Sequence, residues 1–478
     1  MQNIKQKTKI GMFWNAFEKV AVQGISFVLS IILARLLTPH DYGTIGMMII
    51  FLAFSNVFVD SGFTRALIQK QDRTEEDFST TLIFNIAVSC LLYAILFFAA
   101  PAIANFYETP ELVVLQRVFF LVIILNSLTV VQNAKLQIKV DFKSIAIIHA
   151  VSTVISGGIA IYLAYKGAGA WALVWQSIIK SAVSALCFWI TNKWIPKTRF
   201  SKTSFKRLFG FGSKLLACGL LSTTVTNIYN LIIGKIYNPA SLGHYTRAQQ
   251  FPELTVGTLG SVLNNATFPL MATLQNKSEE LISTFGKLIK LSALVSFPAM
   301  VGLAILSEDI IMVLLGEKWM PAAELLFWLS LSYIFTPFSI LNLNLLNAIG
   351  RSDLFMKIDF SKVPIIIVAM VITFPISLKA VVIGKVVTAF IFFYMNTFMV
   401  KRIYGFGAFK QLACVWKCIV ATVIMAIAVW GCVYFINNSF LSLIIGISIG
   451  IVIYMGTLTV LKEEECTSFL TKVLKIND

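Results

Sequence analysis

Charge is scarce in this chain: 13% of its 478 residues are Asp, Glu, Lys or Arg, where a soluble domain carries roughly a quarter. A soluble enzyme, a disordered chain and a small disulfide scaffold are excluded on that ground. Histidine is scarcer still. His40, His149 and His244 have no helical partner at ligand spacing, and the seven cysteines form no CxxC pair, so neither a metal site nor a disulfide is expected. GxSxG, P-loop and zinc motifs are missing, which leaves no catalytic residue to name and no cofactor to expect. The first apolar run follows Lys5, Lys7 and Lys9 but continues to Leu37 with no A-x-A-like cleavage site, so it reads as a retained span and not a signal peptide.

What the chain has is apolar length. Hydrophobic residues make up 58% of it and the mean hydropathy is +0.82. Runs of helical length, separated by Gly, Pro, Asn and charged residues, predict fourteen transmembrane helices, each of about 20 residues. The first six run from Phe13 to Leu37, Gly43 to Phe63, Thr80 to Ile103, Leu112 to Val131, Ser144 to Tyr165 and Ala170 to Trp189. The next six are Leu215 to Ile236, Phe251 to Met271, Leu291 to Leu315, Leu325 to Ile349, Val363 to Leu378 and Ala380 to Val400. Cys414 to Ile436 and Leu441 to Leu461 follow. The expected architecture is an all-α polytopic membrane protein in four parts. Residues 1–195 form an N-terminal six-helix bundle and 196–214 a basic cytoplasmic linker. Residues 215–404 form a C-terminal six-helix bundle, and 405–478 supply two extra helices and a cytoplasmic tail.

Allotting Lys and Arg to alternating sides places 29 of the 39 on the side of the N-terminus, 6 on the other and 4 within spans. That asymmetry predicts both termini in the cytoplasm of a bacterial inner membrane. The formal net charge of +16 therefore reflects orientation and attraction to anionic membrane lipids, and no nucleic acid is expected as a partner. The segment Thr191 to Lys214 carries seven Lys or Arg, with Phe200, Phe205, Leu208 and Phe209 at near-helical spacing. It reads either as a helix lying on the membrane surface or as a simple tether.

An internal repeat is visible at a shift of 200 residues. ARLLTPHDYG, ending at Gly43, lies over GKIYNPASLG, ending at Gly243, and Pro39 falls on Pro239. An even number of spans separates the copies, so the two bundles are expected to run in the same direction, related by an axis along the membrane normal. The first span carries Asn15, Lys19, Gln23, Ser26 and Ser30 at steps of three and four, and the seventh carries Gly219, Thr223, Thr226 and Asn230 at shifted positions, with Asn227 beside them. Such stripes line a water-filled cavity or pack helices through small residues. The charge on Lys19 favours the cavity.

Other ionisable residues in or near spans are Glu18, Asp60, Arg65, Arg117, Lys180, Arg247 and Lys385. Asp60, Arg65, Arg117 and Lys385 are candidates for gating, local ion pairs or snorkelling. Lys180 is the deepest, about ten residues from either end of its span. A cation-rich interior with few carboxylates, of which only Glu18 and Asp60 count as deep, suits an anionic substrate better than a cationic drug.

RLLTPHDYG, FVDSGFTRALIQ (with Asp60, Gly62, Arg65, Ala66, Leu67 and Gln69), GAGAWALVWQ and NLIIGKIYNPASLGHYTRAQQF, in this order and spacing over about the first 400 residues, resemble the polysaccharide transporter family of the MOP flippase superfamily. The resemblance is strongest to the Wzx-type flippases of O-antigen and exopolysaccharide assembly. It implies a carrier that moves undecaprenyl-pyrophosphate-linked oligosaccharide from the inner to the outer leaflet by alternating access. Lys19, Gln23, Arg247, Thr223, Asn227 and Asn230 fall on the cavity walls of that family, which implies that Lys19 and Arg247 meet the pyrophosphate. Lys180 lies outside the family's principal lining helices and is expected to have an internal partner; Glu18 is expected to pair or gate.

Implied partners are the lipid-linked oligosaccharide, a coupling ion (H+ or Na+), and the polymerase and glycosyltransferases of the same pathway. Two other readings compete. A cation-coupled multidrug antiporter of the same fold would need carboxylates deep in its cavity. A membrane glycosyltransferase or polymerase acting on the same lipid-linked sugar would need acids on a sizeable outer loop, and the segments at Tyr107 to Glu111 and Glu308 to Glu324 have no such pair.

Overall fold

The computed structural model describes residues 21–60 and 62–463. Every regular element among them is a helix. Eleven helices are long and apolar enough to cross a membrane, and the shorter apolar helix α1 (Ala21–Leu36) covers the described part of the first expected span. The expected eighth and eleventh spans are also helical but more polar. They form α10 (Pro239–Thr273), with Pro252 and Pro269 inside it, and α15 (Ser352–Thr373), with Pro364 inside it. Fourteen spans are compatible with this arrangement. The chain divides into two compact units, Met1–Gly243 and His244–Asp478.

In the first unit α1 is followed by α2 (Pro39–Asp60), α3 (Phe63–Gln69), α4 (Glu75–Tyr107), α5 (Leu112–Phe119), α6 (Leu121–Ile138), α7 (Phe142–Tyr165), α8 (Ala170–Asn192) and α9 (Lys202–Ile236). Local chemistry sets the ends. Thr74 and Asp77 form a reciprocal capping box at the start of α4, where Glu75, Glu76 and Asp77 also face the positive end of the helix dipole. Asp141 caps α7 by accepting the Ser144 N–H at 3.1 Å. The fourth expected span is two helices, α5 and α6, meeting at Phe120.

The basic linker is part irregular and part helical. Residues 193–201 form no regular element, and from Lys202 the chain runs as one 35-residue helix into the seventh span. The aromatic face of its first turns meets protein. Phe205 and Phe209 stack at 5.2 Å, and Phe84 lies 5.0 Å from both Phe205 and Phe63. Arg207 donates to the buried Asp77 carboxylate at 2.8 Å, which Lys70 also pairs.

The repeated loops touch each other reciprocally. A Cβ on Gly43 would lie 1.6 Å from the Pro239 carbonyl oxygen, and one on Gly243 would lie 1.9 Å from that of Pro39. Glycine is needed at both places because backbone occupies the space a side chain would take.

The second unit continues from α10 through α11 (Ser278–Ile305), α12 (Ser307–Leu314), a short 3-10 turn at Glu317–Trp319, α13 (Pro321–Ser332), α14 (Thr336–Ala348), α15, α16 (Leu378–Tyr404), α17 (Ala408–Cys414), α18 (Trp416–Tyr434) and α19 (Ser439–Val460). Its core is aromatic, with Phe335 stacked on Phe393 at 4.5 Å and Phe297 on Phe338 at 5.5 Å. Asn342 and Gln411, both fully buried, exchange amide hydrogen bonds of 3.0 and 2.8 Å. Each thereby satisfies groups that would be costly to bury unpaired. α13 and α14 break at Tyr333 to Phe335, just before Pro337 at the start of α14. Proline has no N–H to continue the first helix, and the break leaves Tyr333 at an intramembrane helix end.

Candidate functional site

The residues the sequence singles out are distributed over several elements. Glu18 and Lys19 lie outside the described residues. Gln23 is half-buried on α1, and Thr223, Asn227 and Asn230 are half-buried on one face of α9, where Asn227 donates to the Thr223 carbonyl at 3.0 Å. Asp60 accepts the Thr64 hydroxyl, while Arg65 is exposed. The Arg117 guanidinium sits 4.4 Å above the Phe97 ring, and its backbone carbonyl accepts the Tyr93 hydroxyl at 3.1 Å. Arg247 is half-buried in α10.

Inside the first unit, three helices bring polar side chains together. Ser181 of α8 donates to Asn126 Oδ1 of α6 at 2.8 Å, and Asn126 Nδ2 donates to Asn56 Oδ1 of α2 at 3.2 Å. Lys180 precedes Ser181 on α8, whose Phe188 meets the His149 ring of α7 at 5.8 Å. No carboxylate pairs with Lys180 among the described residues, so the internal partner expected from sequence is not found there. Its neighbour Ser181 ties α8 to Asn126 of α6 instead.

In the second unit the intramembrane cation is handled differently. Lys385 of α16 donates to the Tyr245 hydroxyl at 2.8 Å and lies 5.3 Å above the Tyr245 ring and 5.9 Å from that of Tyr333. Tyr333 donates to Glu253 Oε1 at 2.9 Å, and Gln249 approaches the Tyr333 oxygen at 3.4 Å. Lys385, two tyrosines, an amide and a carboxylate thus form one network drawn from α10, α13's end and α16. Glu253 corrects the expectation that Glu18 and Asp60 are the carboxylates to consider. α10 begins at Pro239, twelve residues before the apolar run that marks the span in sequence, so Glu253 lies well inside the helix and not at its mouth.

At the other end of the first unit Lys235 donates to Glu108 at 2.8 Å, beside the Phe106 ring. That hydrogen bond, reinforced by the charge on Lys235, holds the exposed Glu108 carboxyl below its ordinary range.

A family described as "Polysaccharide biosynthesis protein" matches residues 32–324, more than half of the chain. The chain belongs to this polysaccharide biosynthesis family. Among relatives, the teichuronic acid biosynthesis protein TuaB of Bacillus subtilis is 27% identical over 74% of this chain and 74% of its own. The lipopolysaccharide biosynthesis protein WzxC of Escherichia coli is 24% identical over 77% of this chain and 76% of its own. Among solved structures, the lipid II flippase MurJ in an inward closed conformation is similar with a TM-score of 0.73 at 17% identity, over 96% of this chain and 99% of MurJ. An inward-facing multidrug resistance MATE transporter of the MOP superfamily gives 0.63 at 15% identity, over 82% and 100%. This polysaccharide biosynthesis protein therefore shares the fold of these structures, and among its described residues eleven helices are long and apolar enough to cross a membrane.

The family motifs drew attention to the first, second, seventh and eighth spans and to the opening of the sixth, and the polar residues Asn56, Asn126 and Ser181 lie outside them. A signal was nevertheless present. Ser177, Lys180, Ser181 and Ser184 recur at three and four residues along α8, the period of one helix face.

Proposed function

We propose that the protein carries a lipid-linked oligosaccharide from the inner to the outer leaflet of the bacterial cytoplasmic membrane by alternating access, with its termini in the cytoplasm. The observation that carries this reading is membership of the polysaccharide biosynthesis family over residues 32–324. Relatives include one named as a succinoglycan biosynthesis transport protein, in Rhizobium meliloti, and one named as a putative O-antigen transporter, in Shigella flexneri. The shared fold with a lipid II flippase supports the same substrate class.

Translocation needs no bond to form or break. Polar side chains replace the water around the glycan, basic ones offset the diphosphate, and the polyprenyl tail stays in lipid. Lys19, Gln23, Thr223, Asn227, Asn230 and Arg247 are the groups assigned to meet the substrate. A membrane potential negative inside favours outward movement of an anion by about 2.3 kcal/mol per charge per 100 mV, and H+ or Na+ is the candidate ion for the return step. The multidrug reading is weaker because Glu253, the intramembrane carboxylate of the second unit, is already engaged by Tyr333 in the network that holds Lys385.

The test is reconstitution. Purified protein in liposomes should translocate a polyprenyl-diphosphate oligosaccharide without altering its mass, and the gene should restore glycan export to a flippase-deficient strain. A product lengthened by sugar units would move the protein to the enzyme class, and extrusion of cationic dyes without glycan movement would make it an antiporter.

A further inference from the structure

Lys180 lies near the middle of α8 (Ala170–Asn192), where the lysine side chain has its longest reach to either membrane surface. An ammonium at that depth is costly unless water, a counter-charge or a ligand compensates it. Its orientation excludes lipid as its surroundings. Positions 177, 180, 181 and 184 fall within about 100° of one another around the helix, while the exposed Trp175, Leu186 and Ile190 project from the opposite side. Lys180 therefore shares a face with Ser181, whose hydroxyl is tied to Asn126 and through it to Asn56.

This environment is polar and incomplete. Lys180 makes no hydrogen bond or ion pair with the described residues, in contrast with Lys385 and its tyrosines. The amide nitrogen of Asn56 has no protein partner there either. On α7, Thr153 lies one turn from His149 and has a buried hydroxyl with no hydrogen-bond partner. Buried polar groups are normally satisfied, so the unmet Thr153 hydroxyl and a mid-span ammonium with no partner among the described residues leave room for a bound polar group.

We propose that Lys180, with Asn56, Asn126 and Ser181, forms a binding site for an acidic sugar, the ammonium taking the ring carboxylate and the amides and hydroxyl taking ring hydroxyls. The inference rests on the flippase reading and adds a specificity to it. Charge balance selects the ligand: one ammonium with no counter-charge among the described residues neutralises one carboxylate, whereas a diphosphate diester brings two negative charges. A carboxylate on a sugar also needs amide and hydroxyl neighbours for the rest of the ring, and the site supplies them.

The experiment measures binding to purified full-length protein in nanodiscs, using three probes on one alkyl chain: octyl glucuronide, octyl glucoside and octyl diphosphate. Wild type should bind the glucuronide about tenfold or more tightly than the glucoside, the value of one hydrogen bond to a charged group. Lys180→Gln should bring glucuronide binding down to the level of the glucoside, and Lys180→Arg should keep part of the preference. Size-exclusion profiles identify any variant that has not folded, and Ser181→Val, which keeps the charge, should weaken both sugars together. Equal binding of glucuronide and glucoside by wild type, or a preference that survives Lys180→Gln, would overturn the proposal. Diphosphate as the tightest probe, with its affinity lost in Lys180→Gln, would also overturn it and place the carrier's linkage at Lys180 instead. Failure to flip any oligosaccharide in liposomes, with the glucuronide preference intact, would count against the flippase reading and not against the site.

Discussion

Two lysines within the membrane show how differently one residue type can be accommodated. Lys385 has a hydroxyl at 2.8 Å, two aromatic faces and a carboxylate one tyrosine away, so its charge is balanced by the fold itself. Removing one member of such a network leaves the others unmatched, and removing both is milder. Lys385→Met and Glu253→Gln should each lower the thermal midpoint in detergent, and the double variant should lose less than the sum, with a coupling of about 0.5–3 kcal/mol. Strict additivity would mean that Tyr333 does not connect them. Sequence spacing made both lysines visible as intramembrane charges. It could not separate the balanced one from the unbalanced one, because Glu253 and Tyr245 reach Lys385 from a helix about 140 residues earlier in the chain.

At the scale of elements, the informative case is α9. Phe205, Leu208 and Phe209 announced an apolar face at helical spacing, and that face exists. Spacing says nothing about whether such a face meets lipid or protein, and here Phe63 and Phe84 of α3 and α4 take it. The anchor is Asp77, whose fully buried side chain accepts from Lys70, Arg207 and the Thr74 N–H. Asp77→Ala should destabilise the protein by about 3–5 kcal/mol, since it strands buried positive charge and breaks a helix cap. Arg207→Ala should cost about 1 kcal/mol or less, because that side chain is 49% exposed and water replaces its partner. Thermal unfolding in detergent compares the two, and a larger loss at Arg207 would refute the anchoring role of Asp77. The broken helices α5–α6 and α13–α14 were less legible. Each reads in sequence as one apolar run; Pro337 marks the break between α13 and α14, whereas no proline or glycine marks the one at Phe120.

For the whole molecule, the sequence was a good guide to class and a poor one to the interior. Apolar runs were enough to anticipate an all-helical membrane protein, since length and hydropathy are linear properties, and the resemblance of the motifs implied the MOP fold. Orientation is the property that charge alone predicts. Single cysteines replacing Glu108 and Asn437, in a cysteine-free background, should be labelled from outside intact cells, and those replacing Thr203 and Lys410 only after the inner face is exposed. Outside labelling at Thr203 would invert the topology. The repeat has a further consequence through the mutual seating of Gly43 on Pro239 and Gly243 on Pro39. Contact i to j accompanied by j to i is the isologous pattern of a two-fold homodimer, here realised within a single polypeptide. At both glycines the nearest atoms are backbone, so the fit there depends on shape and is indifferent to salt and pH. The neighbouring Lys235 and Glu108 pair will weaken in high salt; this fit will not.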